Sequence, residues 1–201
     1  MKALISLLLL CTLLMSSCGI HGSRPVFSPF WESTTQASPA HEEVMLTSLS
    51  YGDYLLRDGQ IPYYRRYGIS SEFFTVCGVP FANGVFICPA SGGEAGYIEY
   101  SIASLSERLN AFVCKVGGLD GEGSGRELIS VSFLVDGKLM SRTPPLSYGQ
   151  EAYLIDVVIP YGAKTLRIEC RVEGNSESGG TIIGDGRFLH SQYLDQVDWP
   201  E

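Results

Sequence analysis

Ile129-Ser130-Val131-Ser132-Phe133-Leu134-Val135-Asp136-Gly137-Lys138-Leu139-Met140-Ser141 is the stretch that decides the class of fold. A β-rich run ends in Asp-Gly, the dipeptide that best tolerates the positive φ angles of a tight hairpin turn, and a second short run returns from it. Outward from this hairpin the same grammar repeats. Short alternating runs broken by Gly, Pro, Asn and Asp predict strands over residues 71–76, 84–88, 97–102, 110–116, 153–159 and 165–172. In the run 97–102, Tyr97, Glu99 and Ser101 share one face while Ile98, Tyr100 and Ile102 share the other. Phe112, Cys114 and Val116 fall on a common face of the run 110–116. Residues 79–83 have the length and turn chemistry of a hairpin connection between the runs 71–76 and 84–88, and Pro160-Tyr161-Gly162 joins the last two runs. Only residues 105–109 suggest a turn of helix, and no internal repeat is visible. The expected fold class is all-β, a β-sandwich.

The N-terminal region reads differently. Lys2 provides a short positive region, and residues 3–15 form an uncharged apolar run too short to span a bilayer, so residues 1–17 are expected to be a signal peptide. Its end, Met15-Ser16-Ser17-Cys18, resembles the bacterial lipobox, with Met15 where Leu is usual. The resemblance implies processing and lipidation at Cys18, with palmitate-type acyl chains. Two or three chains anchor stably, where one holds only marginally. Residues 18–43 are rich in Ser, Thr, Pro, Gln and Ala and read as a lipidated flexible linker, with Phe27, Phe30 and Trp31 as its apolar exception. Such a tether reaches about 25–30 Å. Residues 44–201 then form the domain. The expected location is a membrane-anchored lipoprotein facing the periplasm or the cell exterior. Gly19 stands in place of the Asp that retains lipoproteins in the inner membrane of enteric bacteria, which leaves outer-membrane sorting open.

A formal net charge of −8 argues against nucleic acid and against adsorption to anionic lipid, since both need a basic face. Of six cysteines, Cys11 belongs to the signal and Cys18 to the anchor, leaving Cys77, Cys88, Cys114 and Cys170 as disulfide candidates in an oxidising compartment. Cys77 and Cys88 lie near the two arms of the expected hairpin. The absence of any Cys-x-x-C spacing argues against zinc.

Catalytic signals are sparse. His21 and His41 fall in the tether, His190 stands alone, and there is no Gly-x-Ser-x-Gly elbow, P-loop, dinucleotide glycine fingerprint or His-Glu-x-x-His pair. Two-carboxylate glycosidase chemistry stays open because Asp and Glu are common in the chain. Asp120, Glu122 and Ser124 alternate with glycines as in the first half of a calcium loop, but the second half lacks its bidentate acid, and the run reads better as a plain glycine-rich turn that needs no metal. No other cofactor is expected. Sugars stack on flat aromatic faces oriented by a few polar groups, so Tyr54, Tyr63, Tyr64, Arg65 and Tyr67 form the candidate ligand-binding surface. The competing reading is of half-buried strand tyrosines with arginines stacked on them. Tyr148 and Tyr161, in expected loops, are secondary candidates.

Four segments in order carry a family resemblance. They are Phe112 to Asp120, which ends Val-Gly-Gly-Leu-Asp; Val131 to Gly137; Asp156 to Leu166, which contains Gly162-Ala163; and Gly184-Asp185. Upstream, Gly84 to Ser91 is similar as well, with Cys88 where the family has His, and Arg187-Phe188-Leu189 replaces its Trp-x-Asp-Ala. Over about residues 44–194 the chain resembles the NPCBM family of carbohydrate-binding modules. That resemblance implies a galactose-binding-like jelly roll, a structural calcium in many members, a glycan ligand and no catalysis. It also implies that the strands of Cys114 and Cys170 neighbour each other in one sheet, where a cross-strand bridge could form; the alternative is two small core residues. The expected function is a lipid-anchored envelope or cell-surface binding module for carbohydrate. The alternatives are a structural or protein-interaction lipoprotein with an envelope protein as partner, and a glycoside hydrolase or other hydrolase.

Overall fold

The structure is a computed structural model, and it describes residues 42–56, 63–66, 74–121, 128–173 and 179–197. Its strands are β1 (Glu43–Met45), β2 (Tyr51–Leu55), β3 (Tyr63–Arg66), β4 (Phe74–Val76), β5 (Val79–Phe81), β6 (Asn83–Ile87) and β7 (Gly96–Ser101). They continue with β8 (Ala111–Gly118), β9 (Leu128–Val135), β10 (Lys138–Arg142), β11 (Leu146–Ser147), β12 (Tyr153–Val158), β13 (Thr165–Glu173) and β14 (Thr181–Leu189). One turn of α-helix, Ala103–Ser106, follows β7. Sheet I has the order β12-β8-β14-β6-β3, with β1 also pairing β14; sheet II has the order β10-β9-β13-β7-β2, with β11 also pairing β9. Every pairing is antiparallel.

Period-two patterning drives the packing. Along β13, Leu166, Ile168, Cys170 and Val172 are buried while Arg167, Glu169 and Arg171 face outward. The inner residues of β7 and β9 match them, and from sheet I Val85, Ile87, Phe112, Cys114, Val116, Ile155, Val157, Ile183 and Phe188 meet this layer in one core. Fully burying such a side chain contributes about 1.5–3 kcal/mol, which sums to the main force holding the sheets together. The expected Asp136-Gly137 turn is present, with φ of 49° and 77°, the pair of positive angles a type I′ turn needs. The Asp136 carboxylate also accepts the Lys164 and Thr165 N–H groups at 2.9 Å each, which ties this turn to the start of β13. Those bonds, Thr165's first, hold its pKa below the ordinary aspartate value.

The outer face of sheet I is covered over its central strands. β4 and β5 form a hairpin of their own, paired Phe74 to Phe81, and its Phe74, Val76 and Phe81 bury themselves against Ile182. A two-stranded hairpin is marginal by itself, so this one depends on docking. The sheet makes room by presenting glycine: a Cβ on Gly84 would lie 2.7 Å from the Phe74 ring, one on Gly184 2.4 Å from Phe81, and one on Gly117 2.4 Å from Val76. Another part of this face is covered by the C-terminal 3-10 segment Ser191–Gln196, whose Tyr193 and Leu194 pack with Ala111, Val113 and Leu189, while Leu154 and Val158 of β12 stay exposed. Within β14 a bulge between Gly184 and Arg187 turns Asp185 to φ 49°, and its buried carboxylate accepts the Asn83 N–H at 3.0 Å.

Three expectations are corrected. The hairpin partner of 74–76 is 79–81 rather than 84–88, because Cys77-Gly78 (φ 52° and 78°) already makes a two-residue turn. That places Cys77 in an exposed turn outside sheet I while Cys88 is buried in the core between the sheets, so the sheet separates the two thiols. Cys114 and Cys170 lie in β8 and β13, which belong to different sheets rather than one, and both point into the core. Among the described residues no disulfide joins the four cysteines, and burial pushes the Cys114 thiol well above its ordinary pKa.

Candidate functional site

The tyrosine-rich stretch is divided between the edge strands of the two sheets. Tyr54, in the edge strand β2 of sheet II, is half-buried, leans on the core and meets Tyr51 edge to face at 5.3 Å. Tyr63, Tyr64 and Arg65 belong to β3, the edge of the other sheet, opposite Phe86, Val85 and Gly84. Tyr67 lies outside the described residues, as does Cys18. Of the secondary candidates, Tyr148 is structural: its hydroxyl accepts the Gly180 N–H at 2.8 Å, and its ring occupies the space a Cβ on Gly118 would need. Tyr161 projects from the β12–β13 turn, 83% exposed.

Asp120 has a structural task. Its two carboxylate oxygens accept the N–H groups of Cys77 at 2.9 Å and Gly78 at 2.8 Å, and its own N–H donates to the Thr75 carbonyl, so it clamps the β4–β5 hairpin onto sheet I. Glu122 and Ser124, the other calcium candidates, lie outside the described residues. Among the described residues no group of three or more His, Cys, Asp or Glu side chains is placed to hold a metal. His190 caps the C-terminal 3-10 segment by accepting the Gln192 N–H.

Polar chemistry concentrates on the outer face of sheet II, where nothing among the described residues covers it as the hairpin covers sheet I. Register brings β2, β7, β13, β9 and β10 side by side: Glu99 lies opposite Arg167, and Glu169 lies between Tyr97 and Ser132. Ser132 is in turn opposite Arg142. The outward side chains form a connected lattice. Tyr97 donates its hydroxyl to Asp53 at 2.8 Å, Arg167 stacks on the Tyr97 ring at 4.1 Å, and the Arg167 Nε donates to Glu99 at 2.9 Å. A further arm of Arg167 lies 4.0 Å from Glu169. The hydrogen bond to Asp53, then burial, raise the Tyr97 pKa above its ordinary value, which keeps the hydroxyl protonated as a donor. Partial burial disfavours the Arg167 cation, but Glu99, Tyr97 and Glu169 outweigh it and hold its pKa above the usual arginine value.

Beside this lattice runs a groove of about 270 Å³ lined by Ala95, Ser132, Arg142, Glu169 and Arg171. Two other clefts have different linings. One of about 290 Å³ lies under the β4–β5 hairpin, against Val76, Cys77, Val79, Phe81, Lys115 and Glu151 among others. The other, about 310 Å³, is bounded by Val113, Leu154, Ile155, Asp156, Leu194 and Asp195. Orienting a hydroxyl-rich ligand takes several convergent polar groups on a rigid support, and the groove on sheet II has the largest charged share of lining. The signal was present in the sequence as Leu166-Arg-Ile-Glu-Cys-Arg-Val-Glu173, whose charged half faces out, but nothing in it told which side chains of other strands would lie alongside.

No protein-family model matches the chain, and no curated protein matches it by sequence. Solved structures do match by shape. The tandem CBM51 modules of a family 98 glycoside hydrolase from Streptococcus pneumoniae superpose with a TM-score of 0.61 at 16% identity, over 74% of this chain and 47% of that one. The CBM51 of a Clostridium perfringens GH95 protein, in complex with methyl-galactose, gives 0.61 at 17% identity over 74% of this chain and 100% of that one. CBM51-2 with the INT domains of Clostridium perfringens ZmpB, in complex with GlcNAc, gives 0.58 at 18% identity over 74% of this chain and 32% of that one. This chain therefore spans about half or less of two of these structures and the whole length of the third. Its described domain has the β-sandwich fold of carbohydrate-binding modules of the CBM51 type.

Proposed function

We propose that this protein is a lipid-anchored carbohydrate-binding module, without catalysis, that engages glycan across the outer face of sheet II. The observation that carries the reading is the groove of Ser132, Arg142, Glu169 and Arg171 beside the Asp53–Tyr97–Arg167–Glu99 lattice. It is an open, polar surface on a sheet whose fold is shared with modules solved in complex with sugars. The lattice side chains hold one another in place, so little of their rotamer freedom is lost when a hydroxyl-bearing ligand arrives. A glycan array probed with the full chain tests this. Binding is expected, and Ser132→Trp, which fills the groove floor, is expected to abolish it while the thermal midpoint stays unchanged. Binding that survives Ser132→Trp contradicts the placement, and a folded protein that binds no glycan contradicts the function.

Anchoring through Cys18 belongs to the same proposal. Acylation there would hold the module on the periplasmic or outer surface of a membrane, outer-membrane sorting included. Metabolic labelling with palmitate should mark the wild type and not Cys18→Ser. A second reading, an interaction lipoprotein, is favoured by the apolar edge of β12, where Leu154 and Val158 are 52% and 64% exposed. It predicts a co-purifying envelope protein that Val158→Asp releases.

A further inference from the structure

The charged groups lining the groove are not evenly matched. Arg167 is committed to Glu99, Tyr97 and Glu169, and Glu169 is the one carboxylate in the groove lining. Arg142 and Arg171 share the rim. Arg142 reaches diagonally from its place opposite Ser132 and donates to the Ser130 hydroxyl at 3.0 Å. Ser130 lies directly opposite Arg171 across the β9–β13 pair and is buried, 2% exposed. Directly opposed residues have Cβ atoms about 4.5–5.5 Å apart. Two arginines thus flank the same buried serine, Arg142 bonded to it and Arg171 opposite it in register. Arg171 has no hydrogen bond or ion pair among the described residues, and Glu169 already faces Arg167. Adjacent like charges repel, and on a chain of net charge −8 a cationic spot placed in a groove stands out against its surroundings.

We infer that the Arg142–Arg171 pair over Ser130 and Ser132 is an oxyanion subsite, and that the glycan recognised on sheet II is acidic, carrying its carboxylate or sulfate ester between the two guanidiniums. The inference rests on the glycan-binding reading above and names its substrate class. Guanidinium is the side chain whose paired N–H groups fit a carboxylate two at a time, and the serine hydroxyls beneath supply further donors. Neutral ring hydroxyls would then be met by Glu169, Glu99 and Tyr97 along the lattice. The entropy of holding Arg142 is partly met in advance by its bond to Ser130.

A glycan array of uronate, sialylated, sulfated and neutral members, followed by calorimetric titration of the hits with the full chain, tests the inference. An acidic glycan should bind about tenfold or more tightly than its neutral counterpart, with affinity falling as salt rises. The uronate and sulfate arms identify which oxyanion is held. Arg171→Gln and Arg142→Gln should each remove that preference while leaving the thermal midpoint unchanged, since both side chains are exposed. Equal binding of neutral and acidic members, or an acidic preference that survives both substitutions, overturns the inference and leaves the carbohydrate-binding reading in place. Failure to bind any glycan overturns both.

Discussion

The two outer faces of this sandwich have been put to opposite uses. Sheet I shows small residues outward, Gly84, Gly117 and Gly184, and fills the space above them with the rings of a docked hairpin. Sheet II shows Tyr97, Glu99, Arg167, Glu169 and Arg171 outward. One face is largely closed by packing and the other is left open and charged, and under the proposed function stability falls on the first and recognition on the second. If that division is right, substitutions on the sheet I side should cost stability and spare ligand, and those on the sheet II side should do the reverse.

The largest effect is expected at Phe81, which is fully buried between the hairpin and Gly184. Phe81→Ala should destabilise by about 3–5 kcal/mol in urea unfolding. Gly184→Ala attacks the same contact from below by driving a Cβ to within 2.4 Å of the Phe81 ring, and an overpacked site of this kind costs about 1–3 kcal/mol. Asp120→Ala removes both acceptors from the Cys77–Gly78 turn and should cost about 1–2 kcal/mol, a value at the low end for charged hydrogen bonds because the turn is solvent-exposed. Calcium should neither restore the variant nor shift the wild-type midpoint if the carboxylate serves only as this clamp.

Smaller again, and visible as pH dependence, is the effect of Asp185. Burial raises its pKa above the ordinary value near 4, against the lowering influence of the Asn83 N–H and of the Arg187 and Lys115 charges. Its Oδ2 is buried with no hydrogen-bond partner among the described residues. An acid whose folded pKa is raised contributes stability that is full below the unfolded pKa and is lost as pH rises through the folded one. Asp185→Asn keeps an acceptor for Asn83 and suits the positive φ, so it should be more stable than wild type at pH 7, with the advantage shrinking toward pH 4. Asp136, whose pKa is lowered, titrates with the opposite sign, so the comparison must be variant against wild type rather than one curve alone. The smallest change in stability is expected for Arg167→Gln, at most about 1 kcal/mol because the pair with Glu99 is partly exposed, while glycan binding should weaken measurably.

Much of the sandwich was legible because period-two patterning is a local property. The runs around β7, β8, β9, β12 and β13 were placed within two residues of where they lie, as was the Asp136-Gly137 turn. β14 was missed although it is the central strand of sheet I: Ile182 and Ile183 are buried on opposite faces, glycines follow, and a bulge breaks the period at Asp185. Burial on both sides erases the alternation that reveals a strand. The polar face of sheet II was illegible for a different reason. Tyr54, Tyr63 and Tyr64 are close in sequence but divided between two sheets, whereas Tyr97, Ser132, Arg142 and Arg171 are far apart in sequence and brought together by strand register. Composition in a window detects the first kind of cluster and is blind to the second.

Amide chemical-shift mapping of the full chain, titrated with a glycan selected on the array, tests the division of labour between the two faces most directly. The predicted perturbations centre on Tyr97, Ser132, Arg142, Glu169 and Arg171, with Gly84, Gly184 and the β4–β5 hairpin unmoved. Shifts centred on the hairpin and its cleft, with sheet II silent, would contradict the account.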